Sequence, residues 1–466
     1  MARSGKSKVI PTEEVEEVKP SKMSIALSPI LLIYFGLAIA YNLFVPGGTV
    51  DQHNADENAH VLYVQTLANG HLPVFQAGAN AYENHQPPLY YLLCLPVLLV
   101  YKAIGGQDPT HALRLVSTML GILLIYAAYK TTETLFPAKP VLSLSVAAFI
   151  ALLPMNVNIN ASVTNDALTN VIIALGLWQA AKITTQPAEK QSDKWLLSQA
   201  MIYGLILGAG ILTKTSTLLL FPIALLTYTL AARRGLMSVK LAFRGSVITL
   251  FLGLLIGAPW LLRNQMLYGD PVAQHIFMSA FVNTAQAPDI IRAIFHGDIF
   301  AYFGAVINWT YASYWGVFDS MRLFWGQDPK GFTPPPGAPL SPIYCGILPV
   351  IAISVAGLLW LLIKKPTYIT PAAGVSLSSF VTLIFLTAVV FLRFILQYFQ
   401  AQGRYIYPSL VPLTILFWLG LFAWTDRPVA QRLISAVVII GLLLLNVYSI
   451  WSLIMPRFAG AGLGQV

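Results

Sequence analysis

Apolar runs alternate with short polar connections along almost the whole chain. A helix crosses a bilayer in roughly 20 mostly apolar residues. Runs of about that size cover 23–44, 111–135, 140–159, 167–184, 195–212, 215–232, 245–266, 342–363, 372–396, 405–424 and 431–454. A helix satisfies its own backbone polar groups where no water reaches them. The pattern predicts an all-α polytopic membrane protein of about 11 transmembrane helices. Two long segments interrupt it, 45–110 and 268–341.

The run 88–104 is apolar as well. It is short, opens with Pro87-Pro88-Leu89-Tyr90-Tyr91 and is broken by Pro96. It reads as an interfacial or re-entrant helix of the first long loop. Counting it as a span would move every later loop to the other side, so charge decides. With it left out, 18 of the 28 basic residues fall on one side. They include Lys130, Lys139, Lys182, Lys190, Lys194, Arg233, Arg234, Lys240, Arg244, Lys364, Lys365, Arg427 and Arg432. The positive-inside rule makes that side cytosolic. The N-terminus is then inside, the C-terminus outside, and the loops 45–110 and 268–341 are outer loops.

Residues 1–22 are polar and read as a disordered cytosolic tail. The run 23–44 is too long for a signal-peptide core and reads as a true span. One transmembrane domain occupies 23–456, followed by a short C-terminal tail, 457–466. The expected location is a plasma or inner membrane.

Composition narrows the function. Hydrophobic residues make up 56% of the 466 and charged residues 10%, against about 25% charged in soluble domains. That excludes an ordinary soluble enzyme and a disordered chain. A net charge of +9 points to anionic membrane lipid and positive-inside bias, with no nucleic acid as partner. Two cysteines, Cys94 and Cys345, are too few for a disulfide framework, and a single bridge between them is the minor alternative. No internal repeat is visible, which weighs against a transporter.

The scarce charges in the outer regions carry the candidate chemistry. The first loop contains Asp56-Glu57-Asn58-Ala59-His60, then Tyr63 and Gly70-His71-Leu72-Pro73. Asp56 and His60 stand four residues apart and share a face if helical. A carboxylate beside an imidazole suits general-base work; a solvated loop is the bland alternative. Asp166, in Thr164-Asn165-Asp166, would open a span, where the helix dipole favours a carboxylate. Capping alone is its alternative. Lys214, Arg393 and Arg404 lie near membrane depth, where charge is expensive and usually functional. A lipid phosphate is their natural partner, and snorkelling to headgroups the alternative. His53, His60, His71 and His85 match no ligand spacing, so no metal site is assigned and a divalent metal stays open. Tyr311, Tyr314 and Trp315, with His85 and Tyr90, are candidate acceptor- or sugar-binding groups, or an interfacial belt. The second loop also holds Trp309, Trp325 and Pro334-Pro335-Pro336, and reads as an acceptor lid.

Taken in order, these residues resemble the GT-C superfamily of membrane glycosyltransferases. The likeness is to its family-39-like group of protein O-mannosyltransferases and lipid A aminoarabinose transferases. The resemblance rests on Asp56-Glu57, His85-Gln86-Pro87-Pro88-Leu89-Tyr90-Tyr91, Ala112-Leu113-Arg114-Leu115 and Asn165-Asp166. It continues through Leu212-Thr213-Lys214, Arg263-Asn264, Leu267-Tyr268-Gly269-Asp270-Pro271 and Gln402-Gly403-Arg404-Tyr405 with Pro408. Gln86 stands where the aminoarabinose transferases commonly carry a lysine thought to touch the donor phosphate, so donor contacts differ here.

The resemblance implies a GT-C fold and a polyprenyl-phosphate sugar donor. It implies reaction on the outer face, with inversion at the anomeric carbon. Asp56 is then the expected base, with Glu57 second. Lys214 and Arg404, joined by Arg263 and Arg393, would hold the donor phosphate. His60 and Asp166 would orient acceptor or base. Neither the sugar nor the acceptor (lipid, glycan or protein) is legible. A transporter or lipid flippase is the main alternative function; a scaffold and a glycan polymerase or ligase are the others.

Overall fold

The computed structural model describes residues 21–46, 56–76, 82–279, 286–316, 342–397 and 401–458. The tail 1–20, His53, Trp325, Pro334-Pro335-Pro336 and residues 459–466 lie outside them. All regular structure among the described residues is helical.

Ten helices are long and apolar enough to cross a membrane. They are Ile25–Phe44, Thr110–Leu135, Asp166–Thr185, Asp193–Ile211, Thr215–Arg233, Val239–Tyr268, Pro342–Lys364, Pro371–Gln397, Gly403–Phe422 and Pro428–Ile454. An eleventh is the pair Pro140–Leu152 and Pro154–Asn160, bent by 63°. Counting that pair as the third, the spans match the apolar pattern one for one. The run 88–104 becomes the 15-residue helix Leu89–Ala103. At about 1.5 Å per residue it is about 22 Å long, short of a bilayer core of about 30 Å.

The basic connections share one end of the bundle. Arg244 reaches Asp193 at 2.9 Å and Lys364 reaches Asp426 at 3.3 Å. Lys139 sits 4.5 Å over the Tyr368 ring. These contacts tie the fourth turn-around to the sixth, and the second and tenth to the eighth. The first loop and the 268–341 segment therefore lie at the opposite end.

Small residues let the spans approach. Gly204 and Gly208 of the fifth span face Gly253 and Gly257 of the seventh, each pair four residues apart. A Cβ added at Gly208 would lie 2.5 Å from the Cβ of Ile256, and one at Gly257 2.5 Å from Ile211. The contact residues rise together, so the two helices run parallel in register, as small-xxx-small packing requires. Hydroxyl pairs also bind spans to one another: Thr184 with Ser376 at 2.8 Å and Ser145 with Ser435 at 2.7 Å.

The third span breaks at Leu153-Pro154, since proline has no N–H to continue the ladder. The freed carbonyls find side chains. Asn156 donates to the Ile150 carbonyl at 2.8 Å, and Asn446 of the eleventh span donates to that of Leu152 at 2.7 Å. The Asn446 amide oxygen in turn accepts from the Tyr41 hydroxyl of the first span.

The fourth and tenth spans are central, with 83% and 72% of their apolar windows buried against 17% for the eighth and eleventh. Both begin at the end that carries the first loop. In that loop, helix Glu57–Ala68 packs on Leu89–Ala103. The 268–341 segment is partly helical, with Gln274–Ser279, Ala287–Ala293 and Ile299–Trp315 among the described residues. The last two pack with Phe391, Ile395 and Ala401 into a small satellite core. Cys94 is buried and Cys345 exposed, and no disulfide joins them.

Candidate functional site

Asp56 stands just before helix Glu57–Ala68 with φ 79° and ψ −4°, a left-handed backbone. Asp is one of the few non-glycine residues that tolerates it. Its carbonyl accepts the first helical hydrogen bond, from the His60 amide at 3.1 Å.

The next residue fixes this turn. Glu57 receives Arg114 through Nε at 2.9 Å and Nη2 at 2.7 Å, and the Val163 amide at 2.8 Å. Arg114 lies wholly buried in the second span. Its guanidinium also donates to the carbonyls of Asn42, Val45 and Pro46. Glu57 thus staples the first loop to the end of the first span, to the second span and to the turn before the fourth. Tyr90 serves the same turn. Its hydroxyl accepts from the Thr164 amide at 3.0 Å and pairs with Ser117 at 2.8 Å.

Freed from that work, Asp56 faces the ion cluster. Its Oδ2 lies 3.2 Å from Nη2 of Arg404, at the start of the tenth span. Arg404 Nη1 lies 3.9 Å from Asp166 Oδ2, at the start of the fourth. Lys214, in the turn between the fifth and sixth spans, donates to Asp166 Oδ1 at 2.5 Å. Charge alternates along Asp56, Arg404, Asp166 and Lys214, and the four sum to zero. Their side chains remain between 11% and 24% exposed, so the cluster is reachable.

Beside it lies a second buried group. His60 Nδ1 is 2.8 Å from the Tyr91 hydroxyl and 4.0 Å from Glu83 Oε2. Burial pushes the His60 imidazole below its usual range, against the pull of the Glu83 and Asp56 charges. Burial likewise pushes the Glu83 carboxyl up, against the His60 charge. Burial thus shifts each of them towards its neutral form.

The remaining sequence candidates are placed elsewhere. Arg263 donates to the Pro73 carbonyl at 2.5 Å and packs over Trp260 at 4.8 Å. Arg393 is exposed on the ninth span and joins none of these ion pairs. His85 lies between Phe75 and Phe277, the latter 4.2 Å from ring to ring. Trp315 is buried against Phe149 of the third span. Among the described residues no three His, Cys, Asp or Glu side chains stand together as metal ligands. Arg114 and Glu83 had been given no role. Arg114 carries the signal that singled out Lys214, a charge within an apolar run. Glu83 carries none, because its burial comes from contacts distant in sequence.

Comparison with known proteins follows from this geometry. Residues 85–262 match the family described as dolichyl-phosphate-mannose-protein mannosyltransferase. No curated protein matches the chain. The archaeal oligosaccharyltransferase AglB from Archaeoglobus fulgidus, solved with an inhibitory peptide and a dolichol-phosphate, aligns with 94% of this chain. Identity is 13% and the TM-score 0.54, and the alignment covers 56% of AglB. The Archaeoglobus fulgidus oligosaccharyltransferase in complex with Zn and sulfate aligns over 92% of this chain at 14% identity, with a TM-score of 0.53. That alignment covers 52% of the oligosaccharyltransferase, so the chain spans about half the length of these relatives. ArnT from Cupriavidus metallidurans, bound to undecaprenyl phosphate, aligns over 88% of this chain and 79% of its own at 15% identity, with a TM-score of 0.37.

Proposed function

We propose that this chain, which has the GT-C membrane glycosyltransferase fold, moves a sugar from a polyprenyl-phosphate donor to an acceptor hydroxyl. The reaction takes place on the outer face, with inversion. The observation that carries this reading is the alternating cluster. Four ionisable residues from four separate parts of the chain meet at one reachable point. The match to a family named for a dolichyl-phosphate donor supports the donor class. So does the dolichol-phosphate bound by AglB.

The chemistry divides between the charges. Asp56 takes the proton as the acceptor oxygen attacks the anomeric carbon. The bond from that carbon to the phosphate oxygen breaks, and its electron pair leaves on the polyprenyl phosphate. The departing phosphate gains negative charge, which Lys214 and Arg404 neutralise. Asp166 holds these two cations in place between turnovers. Glu57 has both oxygens committed to Arg114, which favours Asp56 as the base. His60, neutral and bonded to Tyr91, helps to orient the loop.

Proteoliposomes holding the purified protein, labelled polyprenyl-phosphate hexoses and pentoses and a cell-envelope acceptor extract test the reading. Label should leave the lipid and enter an acceptor. Label that crosses the bilayer still attached to its lipid would instead establish the flippase.

Sidedness has its own test. The basic connections, such as that of Lys240, would face the cytosol. With the exposed Cys345 replaced by serine, a Lys240→Cys variant should react with a membrane-impermeant maleimide only after lysis. Labelling in intact cells overturns the orientation.

A further inference from the structure

Several buried polar atoms around the cluster lack partners. Gln402, two residues before Arg404, is 4% exposed, and neither its amide nitrogen nor its amide oxygen has a hydrogen bond. Asn165, just before Asp166, is fully buried. Its nitrogen donates to the Thr213 carbonyl at 3.4 Å, beside Lys214, while its oxygen has no partner. Arg404 Nε is unsatisfied too. Buried polar groups are bonded in roughly nine cases of ten, and each orphan costs about 1–3 kcal/mol. Gln402 and Asn165 each adjoin a member of the reachable ion cluster in sequence, which makes their orphaned amides candidates for a ligand held there.

The backbone that carries Gln402 is held in place. The following amide, of Gly403, donates to Ser313 Oγ at 2.7 Å. A Cβ at Gly403 would lie 2.3 Å from the Tyr314 nitrogen, so the backbone is pressed onto helix Ile299–Trp315. The Gln402 carbonyl accepts from the Tyr405 amide at 3.2 Å.

The kind of orphan names the kind of ligand. An ionised phosphate only accepts hydrogen bonds and would leave the Asn165 and Gln402 oxygens unpaired. A sugar hydroxyl both donates and accepts, and an amide answers both. We propose that Gln402 and Asn165 form the subsite that reads the hydroxyls of the transferred sugar, next to the cations that hold its phosphate. This rests on the donor reading given above.

The test compares bare polyprenyl phosphate with a set of polyprenyl-phosphate hexoses and pentoses, by calorimetric binding to the full-length protein and to Gln402→Met. The wild type should bind at least one sugar-bearing lipid more tightly than the bare one. Gln402→Met, close in size but without the amide, should lose about tenfold on that lipid. Binding of bare polyprenyl phosphate should stay within about twofold, which also shows that the variant is folded. An equal loss on both lipids, or no loss on either, overturns the subsite while leaving the donor reading intact. A wild type that binds none of these lipids overturns the donor reading, and the subsite with it.

Discussion

Asp56→Asn should lower transfer by a factor of about 10²–10⁴, the range for loss of a general base. The substitution is well matched to the question. Asp56 has a left-handed backbone, φ 79°, which Asn adopts readily and Ala does not. The helix that follows and the Glu57–Arg114 staple are untouched. Arg404 loses one carboxylate partner and keeps Asp166 at 3.9 Å. Donor affinity should therefore hold or rise while kcat falls, the signature of a group that acts in the chemical step. Single-turnover transfer and lipid binding measured side by side check this. Turnover near the wild-type rate in Asp56→Asn removes Asp56 from the role of base.

Arg114→Met should be the most damaging change to the architecture, destabilising by about 3–5 kcal/mol, the usual cost of orphaning one partner of a buried ion pair. Glu57 would remain buried without its two charged hydrogen bonds, and the carbonyls of Asn42, Val45 and Pro46 would lose their donor. Because Glu57 adjoins Asp56, transfer should fall with stability. Adding Glu57→Leu should recover part of the stability, since a buried pair replaced by apolar groups is often nearly neutral, without restoring activity. Thermal unfolding in detergent and transfer assays on both variants read this out. An Arg114→Met protein that melts with the wild type contradicts the staple.

The fold was legible because two independent signals agreed. Hydropathy marked the spans, and the basic loops rejected 88–104, which the structure makes a helix of 15 residues. The GT-C resemblance, read from scattered short motifs, is matched by the aligned fold. The bend at Leu153-Pro154 was not read, although its proline was in view. A proline in an apolar run can kink a helix or end it, and the outcome depends on who satisfies the freed carbonyls. Here the partner is Asn446, far along the chain.

The site was legible by residue type and not by direction. One rule, charge at membrane depth, selected Lys214, Arg404 and Arg393, and the resemblance added Arg263. The structure gathers the first two. It turns Arg263 towards the first loop and leaves Arg393 exposed on its span. A helical residue's bearing is set by packing, which no single-residue signal contains. Glu57 makes the same point from the other side: it has the right chemistry, and both its oxygens are taken up by Arg114. Gln402 could not be singled out at all, for a neutral amide stands out only when its surroundings leave it unpaired.

The Asn446 contact also bears on the order in which the protein is made. The third span leaves the ribosome early, with the Leu152 carbonyl released by its proline. The amide that satisfies that carbonyl belongs to the eleventh span, and the same residue accepts from Tyr41 of the first. Until that span inserts, a bare carbonyl deep in the bundle must be served by water or by a transient neighbour. A span that enters the membrane much later thus locks a joint laid down in the third.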